Sequence, residues 1–424
     1  SENLNLEKLS SDINSEIVVI GGGYTGLLCA INLIKNHNLD VILVEAGKIG
    51  WGASSRNAGF NCLPPSKISF KKMQSIYGKE ETKKFFKNSV EGSIHTRDII
   101  KEYNIQCDVT GDCNYVVAHH KSKFEQIKEQ AEAYKSEFGI KTEIYSKEEF
   151  NEIGHGGTEQ YGAFSYKPGF AINPLKFLNG IAKYGLSKKL KMFEQTKVNQ
   201  ITKENGSYVL KTKEGSIRSK KIVVATNGFY QEGLIPQMDG RVLPVISNII
   251  VTRKLNEEEI KIHNFKTFSP IANTKNLLYY YRKLPDNRIL FGTRGDLTGS
   301  NQSNLDMSKK MEKFLKDIFP AWSNVTIDYN WRGLIALSQK LTPSIGKIEG
   351  EEIYYGFGYN GVGVSAAPWA GKQLSKLVFS SNSKELDISK IYKGLPEKFI
   401  FPQLRTFYFR LAVWFYAIKD KLNI

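Results

Sequence analysis

Residues Glu16 to Leu33 read EIVVIGGGYTGLLCAINL, a run that suits a strand, a tight turn and a helix. Ile17 to Ile20 is a β-branched apolar stretch of the kind buried in parallel sheets. Gly21, Gly22 and Gly23 follow at once, and Gly26 completes G-x-G-x-x-G. From Leu27 to Ile34 the apolar residues stop alternating and suit a helix packed on a sheet. In such a motif the first glycine permits the turn. The second lets backbone approach a pyrophosphate, and the third lets helix and strand pack closely. The pyrophosphate then rests on unpaired N–H groups at the helix N-terminus. A second strand, Asp40 to Val44, ends in Glu45, about 20 residues downstream, where a carboxylate accepts ribose hydroxyls. The bland alternative is an ordinary βαβ unit with a glycine turn. The order strand, motif, helix, strand, acid argues against it.

A chain of 424 residues is long enough for two domains. Its net charge of +16 raises nucleic acid, a membrane surface or anionic ligands as partners. The lysines, however, are dispersed: Lys71, Lys72, Lys83, Lys84, Lys188, Lys189, Lys220 and Lys221 fall in separate segments. With no dense basic arm, solvated faces are the better reading, and nucleic acid is not expected. Cys29, Cys62, Cys107 and Cys113 form no C-x-x-C pair and no disulfide framework, which suits a reducing cytoplasm. The first residues are polar and acidic (Glu2, Glu7, Asp12), without an apolar leader core. No apolar run approaches the roughly 18 residues of a transmembrane helix.

After Glu45 comes AGKIGWGASSRNAGFNC, Ala46 to Cys62. Small residues let a long cofactor lie against this backbone. Ser54, Ser55, Arg56 and Asn57 offer donors to phosphate and ring oxygens. GGGYTG, the acid closing the second strand and GWGASSRNAGF together resemble the D-amino-acid-oxidase-like family of FAD-dependent oxidoreductases, nearest its γ-glutamylputrescine oxidase branch. The likeness continues in FAINPLKFLNGIAKYG, in EQTKVNQI with the strands after it, in LLYYYRKLPDNRILFGTRGD and in YYGFGYNGVGVSAAPWAGKQL.

The resemblance implies an α/β fold, α+β overall: a Rossmann-like FAD-binding domain plus an antiparallel-rich mixed-sheet substrate domain. The FAD domain is expected from 14–97, 151–230 and 330–395. The substrate domain is expected from 98–150, read as mainly helical, and 231–329. An amphipathic helix is expected over 396–424. The implied cofactor contacts begin with Gly21, Gly23, Tyr24, Thr25 and Gly26, then Glu45 and Ala46. The next group is Gly52, Ala53, Ser54, Ser55, Arg56, Asn57, Ala58 and Gly59. Val198 lies on the adenine side; Thr226, Asn227 and Gly228 close a buried strand. Gly358, Asn360, Gly361, Val362, Gly363 and Val364 form a turn beside the flavin, with Val362 where relatives often carry histidine.

The implied reaction takes a hydride equivalent from the carbon of a neutral amine to flavin, and the imine hydrolyses. Oxygen or another acceptor takes the electrons. No Ser-His-Asp set is needed, and the six histidines show no metal-ligand spacing. His119 and His120 read as surface residues. Aromatic candidates for the substrate pocket are Phe60, Tyr280, Trp331 and Tyr359, with Tyr280 facing opposite to Tyr279 and Tyr281 on a strand. Glycine-oxidase-like members carry an arginine at the position matching Ile335, where it clamps the α-carboxylate. Arg332 lies an odd offset away, on the other strand face. That favours a primary or secondary amine; the alternatives are a glycine, sarcosine, D-amino-acid or aminophosphonate oxidase of the same fold, or a membrane-linked dehydrogenase passing electrons to a quinone or partner subunit. Arg332 reads a distal anion or makes a structural ion pair; both remain open, and Tyr280, Arg332 and Tyr359 are the substrate-side candidates. Cys62 is a candidate for covalent attachment of the cofactor or a buried structural thiol.

In the tail, Leu404, Phe407, Tyr408, Leu411, Trp414, Phe415 and Ile418 recur at helical spacing, beside Arg405, Arg410, Lys419 and Lys421. Such a helix docks on the body or on another subunit, or else meets a membrane surface.

Overall fold

The computed structural model describes residues 4–64, 68–382 and 386–422; Glu2 lies outside them. The first strand, Ile13–Ile20, leads through the glycine turn into the helix Tyr24–His37. Leu27, Leu28, Ile31 and Leu33 of that helix are buried. Asn38, in the left-handed conformation, ends it by donating its N–H to the Ile34 carbonyl. Gly26 is required here for a steric reason: a Cβ would lie 1.9 Å from the Gly21 carbonyl oxygen.

One sheet runs in the order Ser344–Lys347, Ile353–Phe357, Ser216–Val224, Ile13–Ile20, Val41–Val44, Lys191–Phe193. All its neighbours along that path are parallel except the first pair. The antiparallel pair Gln200–Glu204 and Ser207–Lys211 branches from Ser216–Val224. This is the expected Rossmann-like sheet, and helices Tyr24–His37 and Gly363–Ser380 pack against each other beside it.

A second sheet runs Ile327–Leu337, Leu243–Thr252, Ile289–Arg294, Tyr280–Lys283, Ile271–Asn273, Asn114–Val117, Ala163–Lys167, Lys141–Tyr145. Its pairs are antiparallel apart from Ile271–Asn273 with Asn114–Val117. The hairpin around Pro285-Asp286-Asn287 forms as its turn residues predict, with Asn287 at φ 65°. Helix Asn301–Ile318 packs against this sheet. Tyr279 and Tyr281 point into the apolar cluster that holds Phe291, Met311 and Trp322.

The expected boundaries shift in three places. Ala163–Lys167 pairs in the second sheet, not the first, and Ile327–Leu337 belongs wholly to the second sheet. The 98–150 segment contributes two strands as well as helices, because Asn114–Val117 and Lys141–Tyr145 both pair with Ala163–Lys167.

Among the described residues no helix is long and apolar enough to cross a membrane. The tail forms the helix Arg405–Leu422, with only Val413 buried. It is held by Arg405 to Glu232 at 2.7 Å, and by Asp420, which accepts from the amides of Asn276 (2.6 Å) and Leu277 (2.8 Å). Phe407, Leu411, Trp414 and Phe415 remain more than half exposed. The apolar stripe is therefore present but not docked on the body.

Candidate functional site

A cavity of about 880 Å³ opens outside the C-terminal ends of the parallel strands, where ligands of open α/β sheets bind. It runs from Glu45, Lys197 and Val198, past the start of the Tyr24–His37 helix, to the turn Asn360–Val364. Its far wall is the second sheet, through Ser247, Ile249, Tyr280, Arg294 and Ile335; Lys275, Asn276 and Tyr416 lie at its outer end.

Two helix N-termini open onto this cavity. Gly23 caps Tyr24–His37 and Val362 caps Gly363–Ser380, neither with a side-chain cap bond, and neither first turn holds an acid. Both ends therefore offer unneutralised positive dipole to a ligand. Thr226 Oγ1 and Asn360 Oδ1 are shut off from solvent without a partner, and both residues line the cavity. Glu45 accepts from the Gly22 amide through Oε2 and the Gly47 amide through Oε1, both at 2.8 Å. Each oxygen keeps a lone pair for a ribose hydroxyl. These features fit the ends of a dinucleotide flavin: anionic in the middle, with hydroxyls at one end and an electron-accepting ring at the other.

The loop after Glu45 is more self-contained than its donors suggest. Ser54 Oγ accepts from the Tyr24 amide at 3.1 Å, at the helix start. Asn57 bonds the Ala53 and Ser54 carbonyls and the Gly59 amide. Arg56 donates Nε to the Trp51 carbonyl at 2.6 Å, and its guanidinium lies over the Trp51 ring. Gly52, Ala53, Ser54, Arg56, Asn57 and Ala58 line the cavity, as do Gly21, Gly23, Tyr24, Thr25, Ala46, Asn227, Gly361, Gly363 and Val364. Gly26, Ser55, Gly59, Gly228 and Gly358 do not; they sit one layer behind. Ser55 donates to the Gly50 carbonyl, Gly59 backs onto Ile172, and Gly358 donates its amide to Asn227 Oδ1 at 2.9 Å. Burial pushes the Cys62 thiol up to about 12, so it stays protonated near neutrality.

On the substrate side the structure separates the three candidates. Tyr280 lines the cavity; its ring lies across Gly292, where a Cβ would fall 2.1 Å from the ring. Its hydroxyl pairs with Ser247 Oγ at 2.8 Å, and Phe60 meets its ring edge-on at 5.9 Å. Tyr359 presents its ring, but its hydroxyl is held at 2.5 Å by Thr25 Oγ1 and buried, which raises its pKa and ties the two cofactor-side elements together. Arg332 does not reach the cavity. It donates to the Ser300 carbonyl at 2.7 Å and faces buried Asp296 at 3.7 Å. Trp331 is likewise tied away, its indole N–H donating to the Arg56 carbonyl at 2.8 Å. Ile335 faces the cavity. His119 is buried, not superficial, with Nδ1 2.7 Å from Thr274 Oγ1.

Arg294 and Ser247 escaped the sequence reading. Tyr280 pairs with Gly292 across the hairpin, so Arg294, two residues on, shares its face. That alternation was the available signal.

The chain matches the family model described as FAD dependent oxidoreductase over residues 16–377. It is 28% identical over 422 residues to the gamma-glutamylputrescine oxidoreductase of Escherichia coli, covering 99% of this chain and 96% of the relative. It is 27% identical over 423 residues to a probable oxidoreductase, OrdL, of Haemophilus influenzae, covering 96% and 92%. Its fold is similar to that of glycine oxidase from Geobacillus kaustophilus, with a TM-score of 0.72 and 17% identity, over 89% of this chain and 97% of that one.

Proposed function

The chain belongs to the family of FAD-dependent oxidoreductases, and on that premise we propose that it oxidises the C–N bond of a small primary or secondary amine. The imine formed is hydrolysed to a carbonyl compound and an amine, and oxygen or another acceptor takes the two electrons. FAD, the family's cofactor, supplies the hydride acceptor. The chain's own residues would do the rest. Glu45, Val198 and the Gly23 helix start hold the adenosine and pyrophosphate end. The uncapped start of Gly363–Ser380 stabilises negative charge at the other end. Tyr280, Phe60, Ile249 and Ile335 form an apolar wall that seats the amine's carbons and keeps water from them.

The observation that carries this reading is Ile335 facing the cavity, at the position where an α-carboxylate clamp would stand, while Arg332 is turned onto Asp296. The relative from Escherichia coli bears the name of an amine substrate, which supports the same class. Free thiols at all four cysteines suit a cytoplasmic enzyme. A second reading rests on the exposed apolar stripe of Arg405–Leu422: a dehydrogenase that delivers its electrons at a membrane or to a partner subunit.

Anaerobic bleaching of the purified holoenzyme tests both. Amines without an α-carboxylate should bleach the flavin, while glycine, sarcosine and D-alanine should be poor. Rapid bleaching by any of those three at low concentration would overturn the amine reading. Air admitted afterwards separates the acceptors: fast recovery with peroxide marks an oxidase, and a flavin that stays bleached favours the second reading.

A further inference from the structure

Five cations line the cavity, Lys48, Arg56, Lys197, Lys275 and Arg294, against a single carboxylate, Glu45. Most of them are accounted for. Lys48 and Lys197 lie at the Glu45 end. Arg56 is bound to the Trp51 carbonyl and ring. Lys275 is paired with Glu159 at 2.7 Å. Arg294 is different. Among the described residues no hydrogen bond or ion pair reaches its guanidinium, and its Nε is shut off from solvent without an acceptor. A half-buried guanidinium whose Nε is closed off from water and which has no counter-charge is disfavoured. A ligand that brings the charge relieves that.

The surroundings show which ligand. Arg294 stands at the end of Ile289–Arg294, on the cavity face with Tyr280 and Ser247, with which it pairs across the sheet. The Gly361 turn closes over it: a Cβ there would lie 3.1 Å from Nη2. The pyrophosphate-type site is on the other sheet, at Gly23, and an oxidised flavin ring carries no charge. In the complex that forms before oxidation, with the flavin still uncharged, the counter-charge for Arg294 therefore falls to the substrate.

We propose that Arg294 is a substrate-recognition residue whose guanidinium takes a carboxylate carried by the amine, set apart from the C–N bond that is oxidised. The separation follows from the register. Arg294 pairs with Ser247, and Ser247 with Gly333, two residues from Ile335. Two strand spacings across and two residues along put the Arg294 and Ile335 Cα atoms about 12 Å apart. Arg294 thus reads a different end of the substrate from the missing clamp. The proposal rests on the amine reading above and deepens it.

The test uses the FAD-loaded enzyme, a series of ω-amino carboxylates of increasing length, and n-alkylamines of matching length. Half-saturating concentrations for anaerobic bleaching are compared in wild type, Arg294→Met, Arg294→Lys and Arg332→Met. In the wild type at least one amino carboxylate should saturate about 30-fold lower than its alkylamine, the worth of a charge-assisted bidentate pair. Arg294→Met should erase that preference while keeping alkylamine bleaching and FAD retention; Arg294→Lys should restore part of it; Arg332→Met should leave it intact. A preference equal in wild type and Arg294→Met overturns the proposal. So does loss of alkylamine bleaching together with the preference in Arg294→Met, which would assign Arg294 to the flavin. If no amine bleaches the flavin, the amine reading fails separately, and titration with plain alkyl carboxylates decides on Arg294. Saturable perturbation of the flavin bands, abolished in Arg294→Met, supports a carboxylate site; perturbation unchanged in that variant, or none in the wild type, overturns it.

Discussion

Glu45 orders its own surroundings before any ligand arrives. Its carboxylate bridges the Gly22 and Gly47 amides and so ties the glycine turn to the loop after the second strand. Glu45→Ala should weaken FAD binding about 30-fold through the lost ribose hydroxyl bonds. The FAD-free protein should keep its fold and lose about 1–2 kcal/mol with the two amide bonds, because the carboxylate is only half-buried and water partly replaces it. Titration of the FAD-free protein with FAD measures this, and unchanged affinity would remove Glu45 from the site. Residue-level legibility was uneven. The face of Arg332 relative to Ile335 was readable, since side chains alternate along a strand. The engagement of Tyr359 with Thr25 was not, because the two come from elements joined only by packing.

At the level of elements, the tail helix borders the cavity through Tyr416, which its sequence pattern does not announce. The apolar stripe suggests docking, yet polar contacts make the attachment: Arg405 with Glu232, and Asp420 with the Asn276 and Leu277 amides. Tyr416 and the 273–276 loop line the outer end of the cavity. Removal of 402–424 should therefore leave FAD retention intact and raise the half-saturating amine concentration severalfold; Asp420→Ala should do the same in lesser degree. Steady bleaching constants in both variants would show that the helix takes no part in the site. The domain bound expected at 151 does not coincide with the sheets. Ala163–Lys167 looks like any apolar strand, and its place in the second sheet comes from pairing with Asn114–Val117 and Lys141–Tyr145.

Across the whole molecule, burial shifts four of the six histidines towards the uncharged form, His263 among them. Burial lowers the pKa of His155 to about 3 and those of His95 and His119 to about 4. His155 Nδ1 accepts from the Gly157 amide at 3.1 Å while Nε2 lies 2.8 Å from the Tyr281 hydroxyl, an arrangement only the neutral ring permits. The unfolded chain binds these protons near the ordinary histidine value and the folded chain does not. Stability from this source is thus full above about pH 6.5 and is lost as pH falls towards 4. Three such sites acting together reach roughly 4 kcal/mol per pH unit. The melting temperature should drop steeply between pH 6.5 and 5, and His155→Gln should flatten that dependence by about a third; a flat profile would contradict the burial of these rings.

The strand–turn–helix at Ile13–His37, the acid at Glu45, the hairpin at Pro285–Asn287 and the turn at Gly358–Gly363 follow from the chain's local chemistry. Each is specified within a few tens of residues by apolar period, by glycine where backbone must turn or approach, and by turn formers. A pyrophosphate cradle needs little more than that. The substrate side is another matter. Whether an arginine meets an acid, as Arg332 meets Asp296, or is left facing a cavity, as Arg294 is, depends on strands brought together from distant parts of the chain. Charge and burial belong to the assembled sheet, and no local pattern encodes them.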